Sequence, residues 1–138
     1  MRLTTLAIFL LFSLGSPTPV ETDLGSICIA PNPEMTPQTV PDGTPGVWCD
    51  SKKLSVKIDN RKVIPWPTKE SLKVDGFDVN ARHRVVVLCG GKPRESFSFS
   101  YSNFKTKKLC LFINDLYRTV QLWDSKQAPW CKCSSGAT

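Results

Sequence analysis

Near residue 53 the chain changes from a stretch without periodicity to one in which apolar and polar positions alternate. Leu54-Ser55-Val56-Lys57-Ile58 alternates strictly, and Ser71-Leu72-Lys73-Val74 does so again before Asp75-Gly76, a dipeptide that predicts a turn. A period of two puts every second side chain on one face, so each segment reads as a strand with one covered and one wet side. Between them lies Val63-Ile64-Pro65-Trp66-Pro67. Its two prolines lack backbone donors, which confines it to a sheet edge or a loop.

Two hairpins are predicted beyond this point. Arg84-Val85-Val86-Val87-Leu88-Cys89 is apolar on both faces, Gly90-Gly91-Lys92-Pro93 turns, and the return strand sets Phe97, Phe99 and Tyr101 against Ser96, Ser98, Ser100 and Ser102. Lys108-Leu109-Cys110-Leu111-Phe112-Ile113 is again apolar on both faces, Asn114-Asp115 supplies a turn, and Thr119-Val120-Gln121-Leu122-Trp123 returns. A helix over 107–123 is the competing assignment. The β-branched and aromatic content and the Asn-Asp interruption favour strands. Strands covered on both faces belong in the middle of packed layers, so two facing sheets are expected. The predicted fold is all-β, a small disulfide-stabilised antiparallel β-sandwich over residues 48–133.

Residues 16–47 carry Pro31, Pro33, Pro37, Pro41 and Pro45 with almost no apolar periodicity, and read as a proline-rich extended arm. Residues 1–15 have a positive start at Arg2, an apolar run from Leu6 to Phe12 and small residues at Ser13 and Gly15, the pattern of a cleaved secretory signal peptide. That run falls short of the roughly 20 residues that span a bilayer, so no membrane span is expected. The tail, 134–138, is expected to be disordered. The destination is extracellular, or periplasmic in a bacterium.

Export changes the meaning of the six cysteines, Cys28, Cys49, Cys89, Cys110, Cys131 and Cys133. An oxidising route converts an even set of thiols into bridges, here three. Cys28 and Cys49 bracket the arm, and a bridge between them would anchor it. Cys89 and Cys110 sit in apolar segments expected to lie side by side. Closure within Cys131-Lys132-Cys133 would be strained, so these two should reach separate partners and break at least one of the simple local pairs. The C-x-C spacing is shorter than structural zinc sites use and His83 is the lone histidine, so neither metal nor cofactor is predicted.

Eighteen basic and 12 acidic residues give a formal charge of +6, of which Arg2 leaves with the signal peptide. Such an excess attracts acidic surfaces weakly and does not by itself make a site. Lys105, Lys107 and Lys108, beside Tyr101 and Phe104, form the densest basic patch, suited to a polyanion; nucleic acid is the less favoured of these. Trp66 and Trp130 adjoin prolines in predicted loops, where a flat ring can be displayed to a sugar or a protein. Trp48 and Trp123 complete the tryptophans.

His83 is the candidate general acid or base, with Arg82 and Arg84 to stabilise an anion and Asp78 or Glu95 as its carboxylate partner. Together these would suit a small secreted hydrolase acting on a phosphodiester. A second acid–base group does not stand out, no G-x-S-x-G elbow is present, and Gly90-Gly91-Lys92 runs into Pro93 rather than a phosphate-holding helix. Asp75-Gly76-Phe77-Asp78 lacks the rest of a calcium loop. The leading expectation is a secreted, non-enzymatic module that binds a glycan or an extracellular protein through Trp66, Trp130, Lys105, Lys107 and Lys108, with the His83 hydrolase as the alternative.

Overall fold

The structure, a computed structural model, describes residues 24–32, 49–114 and 118–133. The predicted signal peptide, most of the proline-rich arm, Trp48 and the C-terminal tail lie outside the described residues. Eight strands follow in chain order: β1 (Leu24–Ile29), β2 (Leu54–Ile58), β3 (Ile64–Pro65), β4 (Leu72–Asp78), β5 (Arg82–Cys89), β6 (Lys92–Ser100), β7 (Lys108–Asn114) and β8 (Thr119–Asp124). They form two four-stranded sheets, ordered β4-β1-β7-β8 and β3-β2-β5-β6. The disulfide-stabilised all-β sandwich read from the alternation is the fold observed.

Alternation decides which side chains meet between the sheets. Ile27, Ile29, Phe77, Leu109, Leu111, Ile113 and Val120 of the first sheet join Leu54, Val56, Ile58, Val85, Val87 and Phe99 of the second in one buried core. Each such aliphatic side chain contributes about 1.5–3 kcal/mol by leaving water. Trp66 is drawn into the same core at 2% exposure, and its Nε1–H donates to the Ala30 carbonyl at 2.8 Å. The aromatic body is buried while its polar edge is satisfied.

Four features depart from the sequence reading. Residues 24–29, expected within a poorly packed arm, form β1, whose Ile27 and Ile29 are fully buried. β1 pairs in parallel with β7, from Ser26 beside Lys108 to Ile29 beside Leu111, whereas the other pairings among the described residues are antiparallel. Asp75-Gly76 does not turn the chain. Opposite it the register shifts between Gly25 and Ser26, a bulge in which Gly76 takes φ +85°, and the Arg61 guanidinium donates to the Asp75 and Gly76 carbonyls at 2.7 and 2.6 Å. The bulge lets β4 continue to Asp78 rather than stop.

The fourth departure is the cysteine pairing: Cys28–Cys133, Cys49–Cys89 and Cys110–Cys131. The C-x-C cysteines do reach separate partners, but Cys28 is not bonded to Cys49. Cys89 and Cys110 lie in different sheets. The parallel β1–β7 register explains both corrections, because it sets Cys28 level with Cys110 on the outer face of the first sheet. The C-terminal segment folds back over that face and bonds to both. Ala30, Cys110, Phe112, Ala128 and Cys131 form a second, smaller core beneath it. β7 is thus apolar on both faces for two separate reasons: one face meets the opposite sheet, the other a disulfide-pinned flap.

The two hairpins appear where the sequence places them. Gly90 and Gly91 join β5 to β6 at φ +59° and +83°, the pair of positive values a two-residue hairpin turn requires and only glycine adopts freely. The link between β7 and β8 includes residues outside the described set.

Candidate functional site

β5 alternation separates His83 from its sequence neighbours. His83 points into the sandwich at 5% exposure, between the rings of Phe77, Phe99 and Tyr101 at centroid distances of 5.3–5.7 Å. Arg82 and Arg84 point outward. Nδ1 of His83 lies 2.7 Å from Asp59 Oδ2, and Nε2 lies 2.7 Å from the Asp78 backbone carbonyl. Each ring nitrogen thus has a partner inside the fold, and neither faces solvent. Asp59 also accepts the Arg84 N–H at 2.9 Å, and Arg84 Nη2 donates to Ser96 Oγ at 2.9 Å. The histidine ties the turn after β2 to the start of β5.

Glu95, the proposed partner across the hairpin, pairs with Val87, whereas His83 pairs with Phe99. Four strand positions, about 13 Å, separate them. Glu95 lies instead at the edge where β6 and β8 part, on a groove of about 390 Å³ lined by Phe97, Phe99, Phe104, Val120 and Leu122. Burial raises its pKa, an effect only partly offset by the Val120 N–H at 3.4 Å. The structure therefore does not bring His83, Glu95 and the two arginines to one place.

The lysine cluster is divided as well. Asp124, at the end of β8, accepts hydrogen bonds from the N–H groups of Lys105, Thr106 and Lys126 and from Thr106 Oγ, at 2.7–3.0 Å. These bonds fold the loop before β7 and aim its lysines apart. Lys105 lies with Asp124 and Lys126 on one cavity, Lys107 is exposed, and Lys108 enters another cavity with Lys73 and Lys132.

Burial alone would raise the Asp124 pKa, yet the bonds from Lys126, Thr106 and Lys105 outweigh it and hold the carboxyl below its usual 3.8. A depressed folded-state value means that the stabilisation is complete above about pH 4 and is lost as pH falls through the lower, folded-state value. Asp124→Asn is expected to lower stability by about 1 kcal/mol at pH 7, and the difference from the parent to shrink as the pH falls below about 4, as read from urea midpoints across pH.

Among the described residues the most exposed aromatic surface is on the outer face of β7 and β8. Trp130 is 54% exposed and Trp123 is 37% exposed. Both meet Phe112 edge to face, at 4.8 and 5.0 Å. Of the two tryptophans proposed for display, Trp130 is on the surface and Trp66 is in the core. Trp123 joins Trp130, a role that the sequence marks only by the strand period, which sets Trp123 opposite Val120 and Leu122. The Cys110–Cys131 bridge anchors the flap next to Trp130 to the strand that carries Phe112.

Among the described residues no group of three or more His, Cys, Asp or Glu side chains is placed to hold a metal ion, and no helix is long and apolar enough to cross a membrane. Compared with protein families, curated proteins and solved structures, the chain matches none.

Proposed function

We propose that the protein is a secreted, non-catalytic binding module whose ligand is an extracellular glycan rather than a bare protein surface. The observation that carries this reading is the rigid, exposed pair Trp123 and Trp130 against Phe112. A core has no use for two half-open indoles, and a flap bonded to the sheet keeps them in place without further ordering when a ligand arrives. Flat indole faces suit the apolar face of a sugar ring. A protein partner would need about 800 Å² per side with an apolar centre, whereas the large exposed aromatic side chains here are two tryptophans. Secretion is supported by the N-terminal pattern and by three disulfides, which persist in oxidising compartments.

The test is a titration of the secreted chain, by intrinsic tryptophan fluorescence, with a panel of neutral and acidic oligosaccharides. Trp130→Ala is expected to weaken the best of these about 30-fold, the loss typical of an aromatic anchor, with an unchanged urea midpoint. A panel without any binder would overturn the glycan reading.

A further inference from the structure

The flap closes a second feature on the same face. A cavity of about 300 Å³ lies between β4, β7 and the C-terminal segment, lined by Lys73, Lys108 and Lys132 together with Ser26, Ser125 and the Cys28–Cys133 bridge. The three lysines come from remote parts of the chain. The register brings them together: Lys73 pairs with Cys28, Lys108 with Ser26, and Lys132 adjoins both flap cysteines. The lining contains no carboxylate; the neighbouring Asp75 meets Lys73 at 3.7 Å.

We propose that this cavity is an oxyanion site that takes a sulfate or carboxylate group of an acidic glycan, whose chain continues along β7 to the tryptophans. This deepens the glycan reading and rests on it. Lys108 and Lys132 bring two ammonium groups to the recess beside Lys73, whose charge Asp75 partly offsets, and an anion placed among them gains from all three while the two serine hydroxyls offer further donors. Two disulfides fix the backbone on either side of the recess, so the attachment points of Lys108 and Lys132 are set before the ligand binds. Lys108, Cys110 and Phe112 follow one another on the outer face of β7, so about 13 Å of strand separates Lys108 from Phe112, against which both tryptophans pack, while Cys131 of the recess adjoins Trp130. One extended oligosaccharide reaches both; a single small anion does not.

The experiment is calorimetric titration of the secreted chain with a highly sulfated glycosaminoglycan oligosaccharide and with its desulfated counterpart. It is run on the parent, on Lys73→Gln, Lys108→Gln and Lys132→Gln, and on Lys57→Gln, which changes the outer face of the opposite sheet. The expected result is about tenfold tighter binding of the sulfated probe. Each of the three pocket variants is expected to lose about fivefold of it, while Lys57→Gln loses none. Raising the salt concentration should weaken the sulfated probe more than the desulfated one. Equal losses in all four variants, or equal displacement by a single-stranded oligonucleotide, would overturn the site in favour of diffuse attraction to any polyanion. Equal binding of both probes, abolished by Trp130→Ala, would remove the oxyanion site and leave the glycan reading standing. No binding of either probe, with no binder in the wider panel, would remove both.

Discussion

Replacing Cys28 and Cys133 together by serine is expected to lower stability by about 4 kcal/mol, a large share of the about 5–15 kcal/mol that holds a domain of this size. The bridge joins residues 105 apart in sequence, and its absence returns to the unfolded chain the freedom of a long loop. It also frees the last residues of the flap from β1. The Cys110–Cys131 bridge spans only 21 residues, and its removal is expected to cost about 3 kcal/mol. The ordering is the informative part. If loop entropy dominates, the longer bridge matters more; if flap packing dominates, the shorter one does, because it pins the segment over Cys110 and next to Phe112. Urea unfolding of both double variants, followed by far-UV circular dichroism, decides between these. Loss of the Trp123–Trp130 surface without global unfolding would appear as a fluorescence transition preceding the dichroism transition.

The strands were legible because their cause is local. Leu54–Ile58 and Phe97–Phe99 alternate whatever surrounds them, and the two-glycine turn at Gly90-Gly91 dictates its own hairpin. The errors share a different origin. β1 contains Gly25, Ser26 and Cys28, which carry little strand signal alone; it is a strand because β4 and β7 supply partners on both sides. Gly25 is required there for a non-local reason, since a Cβ at that position would meet the Tyr101 ring. Asp75-Gly76 has turn chemistry, but with a paired neighbour the same left-handed glycine makes a bulge.

The site followed the same rule. That Arg82 and Arg84 could not share a face with His83 was readable from the strand period, and so was Glu95 being four positions away from level with His83 once the hairpin was placed. The meeting of Lys73, Lys108 and Lys132 was not readable, because it depends on a parallel pairing and a flap connection that no local pattern encodes.

His83→Ala tests what the lone histidine is for. The substitution leaves a gap among Phe77, Phe99 and Tyr101 and deprives Asp59 Oδ2 and the Asp78 carbonyl of their ring-nitrogen partner. The Asp59 side chain is 31% exposed and keeps the Arg84 N–H, so the larger share of the cost is the gap left among the three rings, with the lost contacts adding to it. A loss of about 2–3 kcal/mol is expected, seen as a lower urea midpoint with an unchanged slope. Asp59→Asn alone should cost less, since the amide still accepts through its oxygen. The double variant should cost clearly less than the two losses added, because both substitutions remove the same contact. Additive losses would mean that the Asp59 contact contributes little and that the histidine serves mainly to fill space. Glycan binding by whatever fraction remains folded should match the parent. If instead His83→Ala kept full stability and removed a phosphodiesterase activity from the secreted chain, the histidine would be a chemical group, and the binding reading would fall.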